Sequence, residues 1–254
     1  MMEEMMSVEK SLVKRAIIMA AGSGVRMHPL TEEIPKPLVK VNGKRMIDSV
    51  IDALHINGIE EIYVVVGYLK EQFKVITEKY SDITLIENPY YADCNNISSL
   101  YAAREYLGDC MILDGDQIIY NPDILKPEFT LSGYNAVRCE GETNEWLMEI
   151  DKDGIVTSCS RTGGKDGWQL FSISRWNKSD GEKLRRHLEQ EFESGNDQIY
   201  WDDVPMFCHF DDFRLGITEM NYEDIIEVDD LEELVKLDPS YEIYLQKRSN
   251  VKEF

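Results

Sequence analysis

Two kinds of segment alternate along the first half of the chain. Short apolar, β-branched runs are typical of buried strands and lie at residues 17–19, 61–67, 83–87 and 111–113. Apolar side chains at helical spacing predict helices over residues 46–57, 70–80 and 98–106. Because strands and helices alternate, we predict βαβ units and an α/β, Rossmann-like fold with a mostly parallel sheet flanked by helices.

The pattern changes in the second half, where strands follow one another without helices between them. Predicted strands lie at residues 134–140, 146–150, 155–161 and 171–174, with a hairpin turn at 151–154. A helix over 179–193, capped by Ser179 or Asp180, and a strand leading into a helix over 225–237 complete the pattern. We therefore expect a smaller antiparallel part, and one domain over 15–240 between an extension or linker, 1–14, and a tail, 241–254.

The first predicted strand ends in a run of small residues, namely Ala20, Ala21, Gly22, Ser23 and Gly24. Such a turn lets an anion approach backbone N–H groups closely. Arg26 follows with a planar, permanently charged fork, and Lys36 lies between two prolines that stiffen its loop. These features predict a polyphosphate site, although neither the P-loop nor the dinucleotide fingerprint fits. The alternative is a tight strand–helix turn with solvated cations.

Further candidates follow other predicted strands, because ligands of parallel sheets bind beyond the carboxyl ends of the strands. Gly67 and Tyr68 occupy that position in one strand. Asn96 and Ser98 open the next helix, where they either read a pyrimidine edge or cap the helix. Asp116, after Asp114 and Gly115, is a natural magnesium ligand facing a triphosphate, and the alternative is an ordinary turn aspartate.

Composition excludes several classes of partner. The 254 residues carry a formal net charge of −21, which repels nucleic acid and anionic membranes, and no apolar stretch is long enough for a bilayer. Five cysteines, an odd number without a C-x-x-C pair, indicate reduced thiols and a cytoplasmic protein. The four histidines are scattered in sequence and predict no zinc site.

Longer motifs resemble a known family. The run over 15–41, with Arg26, Pro29, Thr31, Pro35, Lys36 and Pro37, resembles the signature of nucleotidyltransferases that make sugar nucleotides and CDP-alcohols. Over 14–237 the chain resembles the bacterial phosphocholine cytidylyltransferases, through VVVGYLKEQF (64–73), YADCNNISSL (91–100), LDGD (113–116), TNEW (143–146), YWD (200–202) and EVD (227–229). The resemblance implies a GT-A-like fold and the reaction of CTP with phosphocholine, giving CDP-choline and pyrophosphate.

The resemblance also implies roles for single residues. Lys36, Arg26 and Asp116 would be catalytic, and Asp116 would share Mg²⁺ with Asp229, with Asp230 leaving some ambiguity of register. The nucleotide would lie against residues 20–24, Gly67, Tyr68, Asn96 and Ser98.

The acceptor would lie between aromatic faces, Trp146, Tyr200 and Trp201, and the carboxylates of Asp202 and Glu227. A quaternary ammonium donates no hydrogen bond, so aromatic faces and carboxylates suit it. The alternative is that these aromatic residues belong to the core.

Other functions stay open at this point. The acceptor could instead be 2-aminoethylphosphonate, phosphoethanolamine or a sugar 1-phosphate. A catalytically silent nucleotide-binding module is the alternative from another class, and the joint presence of Arg26, Lys36, Asp116 and Asp229 argues against it. The oligomeric state is open.

Overall fold

The computed structural model describes residues 10–251. Six α-helices are present in this range: α1 (Met46–Ile56), α2 (Lys74–Thr77), α3 (Ile97–Ala102), α4 (Lys178–Glu193), α5 (Leu231–Leu237) and α6 (Glu242–Val251). The strands are β1 (Ser11–Leu12), β2 (Arg15–Ala20), β3 (Lys40–Val41), β4 (Lys44–Arg45), β5 (Glu61–Val66), β6 (Ile83–Glu87), β7 (Cys110–Asp114), β8 (Gln117–Ile119), β9 (Glu128–Phe129), β10 (Gly133–Arg138), β11 (Glu142–Thr143), β12 (Leu147–Ile150), β13 (Val156–Ser160), β14 (Gly164–Lys165), β15 (Trp168–Trp176), β16 (Gly216–Glu219) and β17 (Ile225–Glu227). None of the helices over 10–251 combines the length and apolar composition of a membrane span.

The central sheet confirms the predicted α/β class. Its order is β13-β12-β15-β7-β2-β5-β6, and the four strands from β7 to β6 are parallel. Strand β15 pairs antiparallel with β7, β12 and β10, and β16 then pairs parallel with β10 at the outside. The antiparallel second half predicted from the strand-after-strand pattern is therefore an extension of the same sheet.

Strand β2 shows why the sheet is covered on both faces. Ala16, Ile18 and Ala20 belong to the apolar cluster that also contains α1, whereas Ile17 and Met19 belong to the cluster that contains α3 and α4. Successive side chains of a strand point to opposite faces, so a continuous apolar run needs helices on both sides.

A third cluster joins the two ends of the chain. Met27 and Leu30, just after Arg26, are buried against Val228 and Leu231. Tyr241, Tyr244 and Leu245 pack against this cluster from the C-terminal side, so residues 242–251 of the predicted tail form α6. Residues 1–9 of the predicted extension and residues 252–254 of the tail lie outside the described residues.

Three predicted helices differ in detail. The helix over 98–106 is α3, followed by a 3₁₀ turn, Arg104–Tyr106. Residues 70–80 form a 3₁₀ turn, Lys70–Phe73, followed by the single helical turn α2. The cap of α4 is Asn177, not Ser179 or Asp180: its Oδ1 accepts a hydrogen bond from the Asp180 N–H at 2.9 Å.

Candidate active site

The glycine turn after β2 is held from behind by two side chains. Gly24 has a φ of 63°, and a Cβ on it would meet Thr31 Cγ2 at 3.1 Å and Lys36 Cβ at 3.2 Å. The buried Thr31 hydroxyl donates to the Gly24 carbonyl at 2.7 Å. A Cβ on Gly22, by contrast, would meet no described atom within 4 Å. Gly24 therefore allows the turn to pack closely against Thr31 and Lys36, whereas Gly22 faces open space.

Gly115 lets the loop that carries Lys36 approach the end of β7. A Cβ on Gly115 would lie 3.2 Å from Pro37 Cβ and 3.3 Å from Ile18 Cγ2. The Gly115 N–H donates to the Met19 carbonyl at 2.9 Å, which extends the β2–β7 pairing by one residue. Lys36 and Asp116 consequently project from neighbouring segments at the carboxyl edge of the sheet.

Four charged side chains meet at this edge. Lys36 Nζ lies 2.5 Å from Asp116 Oδ2 and 3.3 Å from Asp229 Oδ1. Arg26 Nη2 lies 2.7 Å from the same Asp229 oxygen, although the two residues are 203 positions apart in sequence. Burial lowers the pKa of Lys36, but the Asp116 and Asp229 carboxylates outweigh it, so the pKa lies above its usual value.

Asp229 arrives through a short antiparallel ribbon. Strand β17 pairs with β8, with Glu227 opposite Gln117, and the Val228 N–H then reaches the Asp116 carbonyl at 3.4 Å. The third apolar cluster anchors the same segment through Val228. The ribbon and the cluster together bring both aspartates to one lysine.

The four charged groups line the first of two adjoining cavities, which has a volume of about 270 Å³. Its wall comprises Met19, Ala20, Ala21, Gly22, Gly24, Val25, Arg26, Lys36, Pro37, Asn96, Ser99, Asp114, Asp116 and Asp229. A cavity with two fixed cations, small residues and two half-buried carboxylates suits a polyphosphate with a divalent cation.

The second cavity has a volume of about 170 Å³ and shares Asn96 and Asp114 with the first. Its other lining residues are Glu145, Trp146, Leu170, Ser172, Tyr200, Asp202 and Glu227. The structure thus brings together the four residues predicted for the acceptor, Trp146, Tyr200, Asp202 and Glu227. The two cavities therefore adjoin at Asn96 and Asp114.

The aromatic wall is a corner of two rings. Trp146 and Tyr200 meet edge to face with centroids 6.1 Å apart, and Phe207 supports Trp146 from behind at 5.3 Å. Trp201 takes no part in this wall, contrary to expectation. It is buried between Tyr134 and Trp176 in the core, because successive residues of the loop point to opposite sides.

The carboxylates of the second cavity repel one another. Burial, followed by the charges of Asp116 and Asp229, raises the pKa of Glu227 to about 7, although Gln117 Nε2 donates to its Oε1 at 2.7 Å. Burial and the neighbouring Asp203 raise the pKa of Asp202 to about 7. Burial and the charges of its neighbours also raise the pKa of Asp114. A cation bound here would relieve this repulsion.

Residues behind the cavity hold the Tyr200 loop. Asp203, buried, accepts from the Tyr200 N–H at 2.9 Å through Oδ2 and from Arg161 Nε at 2.7 Å through Oδ1. The Arg161 guanidinium also stacks on Phe207, 3.8 Å from the ring centroid. Asn96 Oδ1 accepts from the Trp201 N–H at 2.8 Å, so it ties the loop to the first cavity instead of capping α3.

Comparisons with known proteins identify relatives that are nucleotidyltransferases. Residues 16–147 match the MobA-like NTP transferase domain. The chain is 40% identical to 2-aminoethylphosphonate cytidylyltransferase of Lancefieldella rimae, covering 91% of this chain and 94% of that protein. It is 35% identical to choline-phosphate cytidylyltransferase of Streptococcus pneumoniae, covering 88% and 96%.

A solved structure agrees as well. The CTP:phosphocholine cytidylyltransferase from Streptococcus pneumoniae superposes with a TM-score of 0.80 at 35% identity, covering 89% of this chain and 97% of that one. The chain belongs to the cytidylyltransferases of the MobA-like NTP transferase family. The resemblance inferred from the motifs is thereby confirmed, and so is the nucleotidyltransferase fold.

Four residues predicted for the nucleotide do not line either cavity of this cytidylyltransferase. Ser23 lies outside the lining, and Ser98 is buried, donating to the Asn95 carbonyl and accepting from Asn88 Nδ2. Gly67 faces the Tyr91 ring, which a Cβ would meet at 2.6 Å. The backbone N–H of Tyr68 donates to the Ala21 carbonyl in the glycine turn at 3.1 Å.

Other lining residues of this cytidylyltransferase were missed from the sequence. Glu145 lies inside the TNEW motif, and Ser99 lies inside NNISS, so the motifs themselves point to both residues. Leu170 and Ser172 alternate along β15, and strand periodicity places them on one face. Arg161 carried no sequence signal, because its role depends on a contact with Asp203 across 42 residues.

Proposed function

We propose that the chain transfers the cytidylyl group of CTP to phosphocholine, giving CDP-choline and pyrophosphate. The observation that carries this proposal is the shared wall of the two cavities. One cavity holds the cations and paired aspartates suited to a triphosphate, and the other holds an aromatic corner among carboxylates. Asn96 and Asp114 belong to both, so an acceptor phosphate in the second cavity would face the nucleotide in the first.

Positioning and charge account for the chemistry. Arg26 would bind the β- and γ-phosphates, and Lys36 would contact the α-phosphate and the incoming phosphate. The acceptor phosphate is already ionised, so it can attack in line without a general base or a covalent intermediate. Phosphate oxygens would compete with Asp116 and Asp229 for the two cations that these carboxylates contact.

Magnesium fits the carboxylate pair. Mg²⁺ is usually held by one or two carboxylates together with substrate phosphates, and Asp116 and Asp229 both reach the Lys36 ammonium from separate segments. We propose these two residues as its protein ligands. The bound ion would neutralise charge on the phosphates, and Lys36 and Arg26 would hold the same phosphates from the protein side.

The second cavity supports a small cationic acceptor. Trp146 and Tyr200 present two faces at a corner, and each good cation–π contact contributes about 0.5–2 kcal/mol. Asp202, Glu227 and Glu145 add negative charge around them. A neutral sugar would gain less from this wall, because it carries no positive charge for the carboxylates and aromatic faces to attract.

A second acceptor, 2-aminoethylphosphonate, has its own support. Its primary ammonium needs hydrogen-bond acceptors, and Asp202 Oδ1 is buried without a partner among the described residues. The 40% identical relative carries the name of this activity. The choice between the two acceptors depends on whether aromatic faces or carboxylate oxygens dominate the binding of the ammonium.

Partners and location form the last part of the proposal. We propose small-molecule substrates as the partners of the site, since the net charge of −21 disfavours binding to nucleic acid. All five cysteines are free thiols, which supports a reducing, cytoplasmic location.

Pyrophosphate release tests the function. The protein is mixed with each of CTP, UTP, ATP and GTP, and with phosphocholine, its di-, mono- and unmethylated analogues, 2-aminoethylphosphonate or a sugar 1-phosphate. We expect CTP with phosphocholine to give the highest kcat/KM. A maximum with 2-aminoethylphosphonate would select the second acceptor, and release with none of the pairs would refute the transferase function.

A further inference from the structure

Two histidines form a cluster that lies outside both cavities. His187 and Glu191 lie one turn apart on α4, and His209 and Asp212 follow the π-helical turn Val204–Cys208. The two imidazole rings are stacked, with centroids 3.8 Å apart and planes 18° from parallel. The histidines, scattered in the sequence, are thus paired by the fold.

Each imidazole has a carboxylate partner. His187 Nε2 lies 2.9 Å from Asp212 Oδ2, and His209 Nε2 lies 2.8 Å from Glu191 Oε1. Both histidine side chains are only 15% exposed, whereas Asp212 is 55% exposed and opens the cluster to solvent. The cluster is therefore largely shielded by protein and has one side through which an ion can enter.

Donor atoms of three residues converge in this cluster. One ligand atom each from His187, His209 and Asp212 lie within 4.8 Å of one another. Ligand atoms on one tetrahedral Zn²⁺ are about 3.4 Å apart, given bonds of about 2.0–2.2 Å. Because a metal ion lies in the plane of each imidazole that binds it, the two stacked side chains must rotate out of their stack to bring the three atoms to that spacing.

We propose that His187, His209 and Asp212 bind a divalent transition-metal ion such as Zn²⁺, with Glu191 orienting His209 or completing the ligand set. Two imidazoles with carboxylate oxygen suit Zn²⁺, Co²⁺ or Ni²⁺ and disfavour Mg²⁺, which takes oxygen ligands. The site thus differs in metal class from the Asp116 and Asp229 pair.

The position of the cluster defines what the metal does. It joins α4 to the segment after the π-helical turn, and the same turn follows Tyr200 and Asp202 of the second cavity. A bound ion would fasten these two segments to each other and stabilise the fold. It touches neither the phosphates nor the acceptor, so it acts as a structural metal.

The test measures Zn²⁺ binding to the whole chain in excess Mg²⁺, by calorimetric titration and by the shift in Tm. We expect one Zn²⁺ per chain and a raised Tm. His187→Ala should abolish both the Zn²⁺ binding and the rise in Tm. Asp212→Asn should weaken Zn²⁺ binding with little effect on folding, because Asp212 is exposed. Glu191→Gln should weaken Zn²⁺ binding about 10–100-fold. His55→Ala is the matched control, because His55 contacts a single carboxylate, Asp82, at 2.7 Å.

Cobalt gives a readout that is independent of stability. Co²⁺ in the parent should show the visible absorption of a tetrahedral nitrogen–oxygen site, and His187→Ala should lose it. Unchanged zinc stoichiometry in both His187→Ala and Asp212→Asn would overturn the proposal. Loss of zinc binding in Asp229→Asn with retention in His187→Ala would overturn it too, because it would place the ion among the catalytic carboxylates.

Discussion

The ammonium of Lys36 lies 2.5 Å from the carboxylate of Asp116 at the carboxyl edge of the central sheet. Burial lowers the pKa of Lys36, and the carboxylates of Asp116 and Asp229 raise it further than burial lowers it. The lysine is therefore a fixed cation at neutral pH, and we propose that it contacts the α-phosphate of CTP. Its charge is balanced within the protein by the residues that we assign to magnesium.

Replacement of this cation is the first prediction. Lys36→Ala should lower kcat by at least about 10²–10³-fold, the usual effect of losing one group that stabilises developing charge. Circular dichroism and the urea midpoint should show a folded protein. Lys44→Ala removes another lysine–aspartate pair, with Asp52 at 2.7 Å, and should leave kcat unchanged. Turnover of Lys36→Ala within a few-fold of the parent would exclude Lys36 as the α-phosphate ligand.

The second prediction concerns the divalent cation. Activity should vanish in excess chelator and return with Mg²⁺, and Asp116→Asn and Asp229→Asn should each abolish it. The neutral amide keeps the side-chain shape but loses the charge that Mg²⁺ requires. Asp123→Asn changes an exposed aspartate outside both cavities, paired with Lys126, and serves as the control. Full activity without any divalent cation would remove the metal from the mechanism.

The third prediction tests the aromatic corner. Trp146→Ala should raise the KM for phosphocholine by roughly tenfold, corresponding to about 1.4 kcal/mol, with little change in the KM for CTP. Trp146→Phe should recover part of the loss, because the smaller ring still presents a face. Trp168→Ala, outside both cavities, is the control. An equal rise in both KM values would show that Trp146 supports the fold of the site, not the acceptor.

Arg161 is predicted to act as a positioning residue. It holds Asp203, which in turn accepts from the Tyr200 N–H, so Arg161→Ala should loosen the Tyr200 face. We expect the KM for the acceptor to rise by roughly tenfold while kcat and the KM for CTP stay near the parent values. Arg161→Lys keeps a cation beside Asp203 and should recover part of the affinity. A fall in kcat alone would contradict this role.

The fifth prediction is a pH dependence of acceptor binding. The pKa values of Asp202 and Glu227 are raised to about 7, so both side chains lose negative charge as the pH falls below 7. The affinity for a cationic acceptor should therefore increase as the pH rises through about 7, and binding below that pH should release protons. Calorimetry in buffers of different ionisation enthalpy measures this release. Glu227→Gln should reduce it, and an identical release in the variant would exclude Glu227.

Local patterns in the sequence determined the elements and the chemistry of the first cavity. The apolar run of β2 required helices on both faces, and the alternation of strands with helices required parallel pairing. The small residues after β2, with Arg26 and Lys36, lie within one short stretch, so their spacing alone indicated a phosphate site. The helix over 46–57 was confirmed for the same reason, as was the strand over 83–87.

Only the tertiary structure decided which distant side chains share a site. Asp229 reaches Arg26 across 203 residues because β17 pairs with β8 and the third apolar cluster buries Val228. Long-range packing also places Tyr200 in the cavity and its neighbour Trp201 in the core. It likewise brings His187 against His209. Sequence periodicity reports contacts within one element, whereas these contacts arise from the free energy of burying apolar surface between elements.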